Sequence, residues 1–284
     1  GSPCTATPAP VRAEGTFFKT RLQAAPQPCG APPGGRSMFD SSYPLVFIAW
    51  FLGGFVNGVS GMGAAMVALP IVACVLEMSE AVPATCLVGT VVALYVAWMY
   101  RSSCRLAPLP PLFLGCVPGV VAGVLVLRAV PGIWLQAVLG AALVAYVFWQ
   151  CLHRGAGRHP ENARGGAISG FASGFSNAAI SFGGPPVAIY ALYVGWDKDT
   201  TRGTLGLYFL VICILTCLAQ AVAGLYTPAV LTAALYGMPG ALAGLLVSLP
   251  FARSLRESVF QAILLVMIGL AGGICLFRAF EAAA

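Results

Sequence analysis

Asn57-Gly58-Val59-Ser60-Gly61-Met62-Gly63 interrupts an apolar run near the start of the chain, and Ser173-Gly174-Phe175-Ser176-Asn177 through Gly183-Gly184-Pro185-Pro186 interrupts another in its second half. Sliding the chain on itself by 116 residues places Gly54, Phe55, Gly58, Ser60 and Pro70 on Gly170, Phe171, Gly174, Ser176 and Pro186 without a gap. At an offset of 121, Pro118-Gly119, Ala122-Gly123 and Leu125-Val126 fall on Pro239-Gly240, Ala243-Gly244 and Leu246-Val247. Two matches in the same order at nearly the same offset indicate an internal duplication.

Around these breaks the chain is 59% hydrophobic and 8% charged, with a mean hydropathy of +0.88. So few charges cannot cover a soluble globule of this length, and the charges that exist fall beside, between or before the apolar runs, which are therefore membrane spans. There are ten such runs. Those at 81–100, 133–152, 203–226, 229–249 and 259–277 approach or exceed the roughly 20 residues of a crossing helix, and 112–127 is marginal. The short runs come as two pairs, 43–59 with 62–76 and 165–180 with 183–196. Each pair reads as a hairpin that either crosses twice or dips in and returns.

Charge sets the orientation, because short loops rich in Lys and Arg stay cytoplasmic. Arg101, Arg105, Arg154, Arg158, Arg164, Lys198, Arg202, Arg253 and Arg256 fall on one side of a ten-segment arrangement, against Arg128 and Arg278 on the other. Both termini are expected outside the cytoplasm. The expected fold is an all-α polytopic membrane protein of two inverted repeats, each of about five hydrophobic segments and opened by a broken hairpin. The first repeat covers 38–152, a basic cytoplasmic linker 153–164 and the second repeat 165–280. Residues 1–37, rich in Ala, Pro and Gly and without an apolar core, read as a disordered leader or a mis-called start.

Other classes fit poorly. The net charge of +6 is spread over several loops, so no nucleic-acid partner is expected. Most of the ten cysteines sit inside apolar runs, as small packing residues do. His153 and His159 lie near no cluster of metal ligands, and no enzyme signature is present, so neither catalytic residues nor a metal or cofactor are expected.

Irregular backbone is tolerated at membrane depth only where protein buries it or a water-filled cavity meets it, which makes the two breaks the candidate site. A helix restarting after a break aims free N–H groups and its positive dipole end at the site, and this favours an anion. Glycines (Gly61, Gly63, Gly183, Gly184, next to Pro185) allow close approach of the backbone. Asn57, Ser60, Ser176, Asn177 and Ser181 supply neutral donors. The same glycines and serines are equally the residues of close helix contact, and that is the favoured reading for Gly115-Gly119-Gly123 and Gly240-Gly244-Ser248. Tyr208, Thr216 and Gln220 share one helical face and line either the pathway or an interhelical seam. Arg202, at a cytoplasmic mouth, either steers anions or follows the orientation rule. No acidic residue or histidine lies mid-span, so no intramembrane proton relay is visible.

On these residues the chain resembles the sulfite exporter TauE/SafE family of membrane permeases: Gly183-Gly184-Pro185-Pro186-Val187-Ala188-Ile189-Tyr190 followed by Arg202-Gly203-Thr204-Leu205 is similar to its second-repeat pattern, and Gly61-Met62-Gly63 with Pro70 to its first. The resemblance implies export of sulfite, organosulfonates or related small organic anions across a bacterial inner membrane. The combined expectation is a secondary transporter of a small anionic substrate in the lipid bilayer; the sequence leaves open whether a proton or sodium is coupled to it. A passive anion channel and a non-transporting scaffold or thiol-redox partner are the alternatives.

Overall fold

A computed structural model of the chain describes residues 43–60, 63–152, 159–254 and 257–283, all within one compact unit. The expected leader, residues 1–37, and the basic positions Arg154, Arg158 and Arg256 lie outside them. The described residues are helical, without strands. The first half contains α1 (Tyr43–Ser60), α2 (Ala64–Val72), α3 (Met78–Met99), α4 (Leu109–Ala129) and α5 (Gly132–Leu152). The second contains α6 (Ala163–Ile180), α7 (Gly184–Val194), α8 (Lys198–Val222), α9 (Pro228–Ser254) and α10 (Glu257–Ala283). Among the described residues, five helices (α3, α4, α5, α8 and α9) are long and apolar enough to cross a membrane. The α4 helix, marginal as a sequence run, gains a full turn because Pro108 and Pro110 start it without needing N–H bonds.

The breaks are narrower than their composition suggests. Helix α1 continues through Asn57 and Gly58 to Ser60, and α6 through Ser173–Asn177 to Ile180, so only about three residues separate each helix from the next. Ser181, at φ 50° in the left-handed region, ends α6, and Gly63, at φ 99°, is the residue from which α2 starts. Helices α2 (9 residues) and α7 (11 residues) are about 14 and 17 Å long at 1.5 Å per residue, roughly half a hydrocarbon core of about 30 Å.

Packing is glycine-mediated in two places. A Cβ at Gly119 or Gly123 would sit 2.4–2.5 Å from the Phe171 or Phe175 carbonyl of α6, and Gly115 faces Ala167 just as closely. In the same way Gly240 and Gly244 of α9 meet the carbonyls of Phe47 and Phe51 in α1, and Gly54 and Gly58 return the contact to Ala241 and Ser248. Helices α4 and α6 therefore lie backbone against backbone, as do α1 and α9. Exchanging the halves maps the first pair onto the second, α1–α2 onto α6–α7 and α3–α9 onto α8–α4.

The exterior is apolar: Trp98, Leu114, Leu125, Phe148, Ile168, Leu218 and Leu235 are all more than half exposed. The interior holds the polar residues, with Ser173, Thr204, Thr216, Gln220 and Ser248 fully buried. A surface of that kind suits lipid and would aggregate in water.

Contacts between distant segments sort the helix ends into two sets. One joins Arg202 to Val59 and Tyr100, Arg105 to Glu161 and Tyr190 to Asn162. The other joins Arg278 to Cys74 and Thr227 to Glu80.

Candidate functional site

The first turns of α2 and α7 open on one cavity of about 90 Å³. Roughly 10–15 Å³ of such space already admits one water, so a small ion fits. Gly63, Ala64, Ala65 and Met66 line it from the first half; Gly183 and Gly184 line it from the second. Neither Gly63 nor Gly183 caps its helix with a side chain, so the first N–H groups of each helix stay available on the cavity side, although the Met66 amide donates to Gly63 O at 3.1 Å. In α7 the prolines at 185 and 186 have no N–H to offer, which leaves Gly183 and Gly184 as the near donors.

One turn before each break an asparagine reaches the same space. Asn57 and Asn177 are 6% and 7% exposed, and both line the cavity with Ser181. Asn177 donates from Nδ2 to Thr216 Oγ1 at 3.1 Å, which fixes the amide. A Cβ on Gly183 would stand 2.8 Å from Asn177 Cβ, so glycine is needed here for the hairpin to close on the asparagine. The remaining walls come from α3 (Gly89, Val92, Ala93, Val96) and α8 (Gly206, Phe209, Cys213). The sequence did not single out these walls; the available signal was Gly89, the one glycine of α3, and Gly206, one turn after Gly203 in α8.

The other expected site residues lie elsewhere. Ser176 Oγ donates to the carbonyls of Ala172 (2.7 Å) and Phe182 (3.0 Å), and Ser173 and Ser169 donate to Gly183 O (2.6 Å) and Pro186 O (2.8 Å). One serine face of α6 thus fastens α7 in place, the local side-chain-to-backbone bonding that hydroxyls favour. Pro185 is buried at the start of α7 behind the lining. The Ser60 side chain and Gly61 fall outside the described residues. Tyr208 is fully buried against Phe113 and donates to Gly170 O at 3.4 Å, off the cavity. Gln220, also fully buried, donates to Cys86 Sγ at 3.7 Å.

Arg202 closes one end. Its guanidinium donates to Val59 O at 3.1 Å and stands 5.7 Å from the Tyr100 ring centroid, a cation–π contact. Arg202 and Tyr100 are one turn beyond the lining residues Gly206 and Val96, and the bonded carbonyl belongs to the last turn of α1, where the dipole end is negative. Nearby Asp197 has a structural partner: it caps α8 by accepting from the Thr200 amide at 3.1 Å, and hydrogen bonds from Thr200 hold its carboxyl below the usual range. Among the described residues no group of His, Cys, Asp and Glu is arranged to hold a metal ion.

Several crossing helices and a lipid-suited exterior define a multi-pass membrane protein, and a mostly apolar cavity edged by Asn57, Asn177 and Ser181 lies between its halves. The chain belongs to the sulfite exporter TauE/SafE family, whose model, Sulfite exporter TauE/SafE, matches residues 46–274, and this is a family of membrane transporters rather than of enzymes. No curated protein and no solved structure gives a significant match.

Proposed function

We propose that the protein is a secondary transporter that exports a small oxyanion, sulfite or an organosulfonate, across a bacterial inner membrane, and that the anion is bound between the starts of α2 and α7. The observation that carries this reading is the convergence of two uncapped helix starts and two buried asparagines on one cavity whose lining has no charged side chain. An anion leaving water needs its hydrogen bonds replaced, at a cost of several kcal/mol if they are not. Backbone N–H groups, Asn57, Asn177 and Ser181 are a set of donors suited to that task. Positive dipole ends add roughly 0.3–1 kcal/mol each, up to about 2 when partly buried.

The two repeats, 38–152 and 165–280, are inverted in this account. If Arg202, Val59, Tyr100, Arg105 and Glu161 mark the cytoplasmic face, and Arg278, Cys74, Glu80 and Thr227 the other, every helix of the second half runs opposite to its counterpart in the first. Helices α2 and α7 then start near mid-membrane and leave toward opposite faces. Inverted broken helices around a central site are the arrangement of many secondary transporters.

Flux of radiolabelled sulfite in proteoliposomes, with and without imposed proton or sodium gradients, tests the function. Uphill movement that follows one gradient is expected. Movement only down the sulfite gradient means a channel, and no movement of any tested sulfonate or sulfite contradicts transport.

A further inference from the structure

Apolar helices α3 and α8 each carry polar residues one turn apart: Cys86 and Thr90 on the first, Cys213, Cys217 and Gln220 on the second. That spacing puts them on one face of each helix, and α3 packs against α8. Cys86 Sγ is 3.5 Å from Ser181 Oγ, and Gln220 Nε2 donates to it at 3.7 Å. Thr90 Oγ1 is 3.6 Å from Cys217 Sγ, and Tyr226 donates to the Cys217 carbonyl at 3.1 Å. Ser181 and Cys213 line the cavity, whereas Tyr226 is half-buried beside exposed Thr227. Thr90 Oγ1 also donates to the Cys86 carbonyl at 2.8 Å, which joins the two groups into one seam from the cavity to the helix ends that hold Glu80 and Thr227.

Polar groups at membrane depth are costly unless paired, and this seam is incompletely paired. Gln220 Oε1 has no hydrogen-bond partner although Gln220 is 0% exposed, and the same holds for Thr85 Oγ1, 1% exposed, in the turn of α3 that carries Cys86. Turning the amide over exchanges which end is unpaired and leaves one so in either case. A seam built only to join two helices would close its bonds; one that a polar solute crosses keeps a group in reserve.

We propose that this seam is the half of the anion's route between the cavity and the Tyr226 face: the oxyanion leaves Ser181 for the Gln220 amide and the thiols of Cys86 and Cys217, and emerges at Tyr226. The proposal rests on the cavity as the central anion site, so its test separates leaving from binding. Sulfite affinity is measured on purified protein and sulfite flux in proteoliposomes, for the parent and for Gln220→Leu, which keeps the volume and removes the amide. The expected result is a flux at least tenfold lower with an affinity within twofold of the parent. Unchanged flux, or flux and affinity lost in proportion, overturns the seam as the route. If Gln220→Leu does not fold, a variant with Cys86→Ala and Cys213→Ala, leaving Cys217 as the seam thiol, is treated from the Tyr226 side with an anionic methanethiosulfonate. Labelling of Cys217 that a saturating organosulfonate slows is expected, the sulfonate being used because sulfite itself attacks the reagent; no labelling during organosulfonate turnover overturns the proposal. Loss of the cavity reading would appear separately, as sulfite binding indifferent to substitutions at Gly184.

Discussion

Asn177 stands one turn before α6 stops, with one amide N–H held by Thr216 and the group lining the cavity. Asn57 occupies the matching place in α1, 120 residues earlier, as Gly63 does for Gly183. Each asparagine is expected to contribute one hydrogen bond to the anion, so Asn57→Ala and Asn177→Ala should each weaken sulfite binding by about 0.5–1.5 kcal/mol. Calorimetric titration of the purified variants checks this. Ser176→Ala is expected to leave affinity close to that of the parent and to lower thermal stability instead, because its hydroxyl ties Phe182 and Ala172 within the hairpin. Asparagine and serine looked equivalent as donors in the sequence. What separates them is reach: a hydroxyl on a helix finds a backbone carbonyl within its own turn, while the longer amide extends past it.

Helix pairing rests on glycines that admit a neighbouring carbonyl. Gly119→Val and Gly244→Val should separate α4 from α6 and α1 from α9, and both variants should give little folded protein in detergent. Gly273→Ala, where nothing lies within 4 Å, should change the unfolding midpoint hardly at all. The packing role of these stripes was legible in the sequence, but the register of the expected duplication was not. Gly119 and Gly240 contact Phe171 and Phe47, which are 124 apart, eight residues from the offset of 116 that the glycines themselves suggested. A stripe of small residues four apart matches itself again when slid by one or two turns, so sequence identity cannot fix which turn meets which. The breaks were equally blurred, because Gly58 and Gly174 stood for irregular backbone in composition while serving helix contact in space.

Across the whole molecule, the proposed orientation and the proposed central site are linked, since halves that are inverted would bring the starts of α2 and α7 to one place from two faces. Accessibility tags at Ser102 and Ser254 are expected to report the cytoplasm and a tag after Phe280 the exterior; a cytoplasmic Phe280 tag would refute inversion. The crossing helices, the lipid-suited exterior and the two breaks could be read from hydropathy and glycine placement. The cavity walls on α3 and α8 could not, because Val92, Val96 and Phe209 are ordinary apolar residues whose position depends on how distant helices meet. Gly184 offers the most direct test of the cavity. Its would-be Cβ meets only the flexible end of Met66, at 2.7 Å, so a larger side chain fills the cavity instead of breaking the backbone packing. Titration of sulfite into purified parent and Gly184→Leu is expected to show saturable binding in the first and none in the second, with similar unfolding midpoints. Equal affinity in the two proteins would contradict an anion site between the starts of α2 and α7.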